Sequence, residues 1–170
     1  MNSFEQNRMK AMVLYILNVT GGIDFYHIFK ILYFAGREHL AKWGHRMIPD
    51  DFCALDYGPV PSQLYNAIKV LDNPDTKLAS QLHVSMTFAG ADAPNVIIAK
   101  ESADMEYISL SEKESLDKSI KENAALTFSQ LKDKSHDIAW QEAFSIKRSA
   151  KLSLVKMAEA AHADKATLEY

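Results

Sequence analysis

The chain has 170 residues, 48% hydrophobic and 24% charged, which suits one folded domain whose core needs no metal or disulfide staple. Its formal net charge of -3 lacks the basic excess of phosphate-holding proteins, and a single cysteine, Cys53, excludes an internal disulfide framework. No apolar run reaches membrane-spanning length and the first residues carry no export pattern, so the expected setting is cytoplasmic, with no membrane association.

Ser3 with Gln6 reads as a capping box. Met9, Met12, Val13, Ile16 and Leu17 then recur at helical spacing, which predicts a helix from Phe4 to Val19 ended by Thr20-Gly21-Gly22. Asp24 is placed to cap the next helix. From Phe25 apolar residues fall three or four apart, at Ile28, Phe29, Leu32, Ala35, His39 or Leu40, and Trp43, predicting a central helix of about five turns. Gly44 is its expected left-handed stop. A polar loop from His45 to Asp51 follows, and Phe52 to Tyr57 leads into Gly58-Pro59-Val60-Pro61. Each proline fixes its own φ and holds its predecessor out of the α region, so this segment is a stiff, extended corner. Ser62 is expected to cap a helix through Leu64, Tyr65, Ile68 and Leu71.

Leu82, Val84, Met86 and Phe88 alternate as in a strand, and residues 96–100 and 105–109 read as a hairpin turning at 101–104. Ser111 with Glu114 predicts a helix from Glu112 to Ala125, and Ser129 starts another turn through Leu131. Ser135-His136-Asp137 precedes a helix bearing Ile138, Trp140 and Phe144. Leu152 to Ala161 reads as an Ala-rich helix with a polar tail, expected to be mobile in isolation. The fold class is thus mainly α (α+β): a helical domain with a small antiparallel hairpin or short sheet. Residues 1–145 form the domain, and 146–170 a helical extension packed on it or trailing it.

Ser135-His136-Asp137 spells a catalytic triad, but triad members must converge, whereas consecutive helix residues point about 100° apart. A helix start is the better reading, with Ser135 or Asp137 accepting backbone N–H bonds. Cys53, His39 and His45 match no metal-ligand spacing, so no metal is expected, and no glycine-rich phosphate cradle exists. No cofactor is expected either. Arg37, Glu38, Lys42 and Arg46 lie on the polar side of the central helix, where Glu38 and Lys42 have the spacing of a helical ion pair. A basic strip at Lys147, Arg148, Lys151 and Lys156 reads as solvated surface.

Leu32-Tyr33-Phe34-Ala35, His39-Leu40, Gly44, Ala54, Tyr57-Gly58-Pro59-Val60, Tyr65, Ser135-His136 and Trp140 together resemble the Panacea domain family, which includes SocA-type antitoxins and many phage-associated proteins. The likeness runs from about Met9 to Phe144. It implies an α-rich, non-enzymatic antitoxin whose partner is a cognate toxin protein. Members closest to SocA in function act as adaptors that deliver the toxin to a bacterial AAA+ protease. One position departs: Gly36 stands where the family commonly has an acidic residue, which removes any partner contact built from that carboxylate.

On this reading the chain binds its toxin through a face around Tyr33, Arg37, His39, Tyr57 and Tyr65. A winged-helix-like DNA-binding regulator is the alternative, though the mild acidity speaks against nucleic acid. A hydrolase using His39, Cys53 or His136 is the third reading.

Overall fold

Helix α2 (Phe25–Trp43) is the axis of the molecule in this computed structural model, which describes residues 1–161. Asp24 caps its start by accepting from the His27 N–H, and Gly44 at φ 74 ends it by donating to the Leu40 carbonyl. Every residue from Ile28 to Gly36 is buried. The helix therefore has no solvated face over nine residues, where its apolar spacing predicts one buried stripe.

Helix α1 (Ser3–Thr20) precedes it in the chain, and the two-residue strand β1 (Ile23–Asp24) joins them. A hairpin of β2 (Phe52–Leu55) and β3 (Gly58–Pro61) follows, with Cys53 opposite Val60 and Ala54 opposite Pro59. Helices α3 (Ser62–Lys69) and α4 (Lys77–Ser85) lead to strands β4 (Met86–Gly90) and β5 (Ala93–Ala99). A 3-10 turn at Met105–Tyr107 precedes α5 (Leu110–Asn123), α6 (Phe128–Ser135), α7 (Ile138–Ile146) and α8 (Leu154–Ala160). The described residues thus form a mainly helical fold with two small antiparallel sheets, β1-β5-β4 and β2-β3. Residues 149–152 run along the outer side of β2, where Ala54 and Ala150 and then Phe52 and Leu152 share backbone bonds of 2.9 Å. From there α8 packs back on α2 and α7. The polar tail expected beyond Ala161 lies outside the described residues.

Several expected boundaries move for identifiable reasons. The first capping box is Asn2 with Glu5, not Ser3 with Gln6, and the one before α5 is Ser109 with Glu112, not Ser111 with Glu114. In both cases the capping residue is the last one in extended conformation. Thr127, not Ser129, caps α6 in the same way. Helix α3 ends at Lys69 and has no cap from its own N-cap residue, Pro61. Asp50 supplies it from the preceding loop, its two carboxylate oxygens accepting from the Gln63 and Leu64 N–H groups at 3.2 and 3.0 Å.

The expected strand around Leu82–Phe88 is half helix, because Thr76 caps a helix that runs to Ser85. Its alternation was accidental: Val84 is exposed on α4, and strand geometry begins only at Met86. The hairpin pairs β5 with β4 instead of with residues 105–109. Asp104 accepts from the Glu106 N–H and tightens that segment into a turn, and Ser109 starts α5 directly after it.

Candidate partner-binding surface

The motif residues meet at one buried junction between α2, the β2-β3 hairpin and α7. Asp137 is the N-cap of α7, with Oδ1 accepting from the Trp140 N–H at 3.0 Å. Its Oδ2 accepts from the Tyr33 hydroxyl at 2.5 Å and from Arg37 Nη1 at 2.8 Å. One carboxylate thus starts α7 and clamps it to α2. Trp140 extends the clamp by donating from Nε1 to the Leu55 carbonyl at 2.8 Å, and it stacks between His136 and Phe144 with ring centres 3.7 and 4.6 Å away. Burial lowers the His136 pKa, so this ring is stacked as neutral imidazole.

Lys30, 2% exposed, points into the same junction and donates from Nζ to the Pro59 carbonyl at 3.0 Å. Burial lowers its pKa to about 7. Gly58 lies against it at φ 110, and a Cβ there would collide with the Ser135 hydroxyl and stand 3.1 Å from Lys30 Nζ. The sequence reading missed Lys30. The signal was available, since a lysine inside a helix apolar on nearly every side has no route to water.

Of the five expected contact residues, the structure keeps two off the surface. Tyr33 is fully buried by its bond to Asp137, and His39 is fully buried with Nδ1 against the His45 carbonyl and Nε2 against the Ser111 hydroxyl. Arg37 is mostly covered, because its guanidinium is held by Asp137 and stacks 4.7 Å from the Phe34 ring. Glu38 does not pair with Lys42. It accepts from the Ser115 hydroxyl at 2.6 Å and lies 3.6 Å from Lys118. The basic strip is largely paired, Arg148 with Asp56, Lys151 with Asp51 and Lys156 with Glu159. Cys53 sits in β2 with a thiol pKa raised by burial, and among the described residues no group of three or more His, Cys, Asp or Glu is placed to hold a metal ion.

Tyr57 and Tyr65 remain, and the structure links them through Tyr26. Tyr57, 51% exposed, and Phe128, 40% exposed, pack edge-on with ring centres 5.4 Å apart. Tyr26 meets Phe128 at 5.3 Å and Tyr57 at 6.4 Å, closing an aromatic trio drawn from α2, the hairpin turn and the start of α6. On its other side Tyr26 enters a cleft of about 280 Å³, walled by Phe25 and Phe29 from α2, Tyr65 and Lys69 from α3, and Phe88 from β4. Tyr26, Phe128 and the cleft were not expected from the sequence, because their convergence depends on contacts across about a hundred residues of chain.

Gly36 is buried, and a Cβ there would lie 3.1 Å from Ile48 Cγ1 and 3.8 Å from the Phe52 ring. The position faces a packed interior in this chain, so the glycine's helix-propensity cost is offset by close packing that a side chain would disturb.

A model of the family described as antitoxin SocA-like, Panacea domain, matches residues 28–141. The matched span takes in the junction from Lys30 to Trp140, together with Tyr57, Tyr65 and Phe128, and leaves out α1 and α8. No match was found among curated proteins or among solved structures. The match covers well over half of the chain and coincides with its structural centre, and the chain belongs to the SocA-like Panacea domain family.

Proposed function

We propose that the protein is an antitoxin that binds a cognate toxin and neutralises it, with the Tyr26, Tyr57 and Phe128 surface as the contact. Family membership supports the antitoxin role, in a family that is generally non-catalytic. The observation that carries the contact is the exposure of two large rings, Tyr57 and Phe128, packed edge-on upon a buried frame. Exposed aromatic rings on a rigid base are the usual energetic centres of protein interfaces, because they bury much area at little entropic cost.

Co-expression with the product of the neighbouring gene tests the role, with rescue of growth and co-purification as the expected outcome. Absence of both rejects it. Tyr57→Ala and Phe128→Ala together are expected to weaken the complex by at least about 2 kcal/mol, roughly thirtyfold, with the unfolding midpoint unchanged. Unaltered affinity would remove this surface from the contact. A shortened toxin half-life on co-expression, lost when the AAA+ protease is absent, would establish delivery to that protease as the route. Retention on DNA that falls steeply with salt would favour a transcriptional regulator instead.

A further inference from the structure

The cleft beside Tyr26 combines aromatic walls with a cation at its rim. Its size of about 280 Å³ is at the bottom of the range for ligand sites, room for one bulky side chain and not for the successive anchors of a docked helix. Lys69 supplies a cation at the rim, its Nζ folded 4.3 Å from the Tyr65 ring centre. The Lys69 side chain is exposed and, like several other lysines, has no carboxylate partner among the described residues.

Around this ammonium stand phenols with free hydrogen-bonding capacity. The tyrosine hydroxyls bonded within the described residues are those of Tyr15, Tyr33 and Tyr107, whereas those of Tyr26 and Tyr65 are not. Burial raises the Tyr26 pKa, which keeps this phenol a hydrogen-bond donor. Asn95 also lines the cleft and carries a side-chain amide. An ammonium with phenolic donors beside an aromatic pocket is complementary to an apolar group with a carboxylate adjoining it. A single residue that supplies both is the last residue of a polypeptide.

We propose that this cleft seats the C-terminal residue of the partner protein, with its apolar or aromatic side chain between Phe25, Phe29 and Phe88 and its terminal carboxylate on Lys69. The assignment rests on the reading that the partner is a polypeptide. It concerns a site separate from the exposed trio, which Tyr26 joins to it.

A hexapeptide of sequence Gly-Ser-Gly-Ser-Gly-Phe tests it, with a free carboxylate or a C-terminal amide, titrated into the isotope-labelled protein by NMR. The free acid is expected to shift the amide signals of Lys69, Phe88 and Asn95 and to bind about tenfold more tightly than the amide. Lys69→Gln is expected to erase that difference while leaving the spectrum otherwise folded. Equal binding of acid and amide, or no shift of these signals by the free acid, would overturn the assignment. So would N-acetylphenylalanine binding as tightly as the peptide, since the cleft would then be a small-acid site. Co-purification with the neighbouring gene product alongside equal binding of both peptides would sink this proposal and leave the antitoxin role standing. The reverse result would do the opposite.

Discussion

Lys30 carries an amine into the buried core with a single hydrogen bond, to Pro59. Its pKa is about 7 folded and 10.5 in its ordinary state, so between those values the unfolded chain holds the extra proton. Stability therefore rises with pH across that window, and the full cost of the buried charge is present below pH 7. Above pH 9 the half-buried Cys53 thiol, with its raised pKa, opposes the trend, and nearer neutrality the raised His27 pKa opposes it, while the lowered Lys134 pKa adds to it, so the Lys30 contribution is the difference between the parent and a Lys30 variant. Urea unfolding is expected to show stability climbing by on the order of 2 kcal/mol from pH 7 to 9, and Lys30→Met to flatten the slope. Equal slopes in the parent and the variant would show that Lys30 keeps its usual pKa. Asp137 is the other decisive residue, since Asp137→Ala removes a helix cap and strands both the Tyr33 hydroxyl and Arg37. A loss of about 3–5 kcal/mol is expected by chemical denaturation. A loss under about 1 kcal/mol would mean that solvent replaces all three partners.

At the scale of elements, the hairpin turns on Gly58. Its φ of 110 disfavours any side chain, and the space a Cβ would take is already filled by Ser135 and Lys30. Gly58→Ala is expected to cost at least about 3 kcal/mol and to lower the thermal midpoint sharply, because backbone strain and overpacking add. Full retention of the midpoint would show that the junction yields. Most helices were legible in the sequence because their signals are local, and α2 runs from Phe25 to Trp43 between Asp24 and Gly44 as its pattern requires, whereas α4 was hidden by an alternation that reads as strand. What local signals left open was the frame and the partner. Asn2, Ser109 and Thr127 each displaced a nearby serine as cap, and Asp50 capped α3 from twelve or more residues upstream. Strand pairing was less legible still, since β5 could have turned toward either neighbour, and Asp104 settled the matter by bending the wrong one into a helical turn.

For the whole molecule, the motif residues proved easier to recognise than to interpret. Tyr33 and His39 lie on the central helix among the residues of the resemblance, yet both face inward and act through hydrogen bonds that fix neighbouring segments. Surface chemistry collected where no motif pointed, at Tyr26 and Phe128, which the fold brings beside Tyr57 from both sides. Periodicity reports which residues are apolar, and only the tertiary contacts decide which apolar residues are left over. The seam along β2 has one more effect. Residues 52–61 emerge from the ribosome roughly 90 residues ahead of the stretch at 149–152 that covers their outer edge, a delay of several seconds at ordinary rates of synthesis. Throughout that interval the nascent hairpin offers bare amide and carbonyl groups to any passing strand, so unfinished chains still tethered to the ribosome are open to misassembly until residues 149–152 arrive.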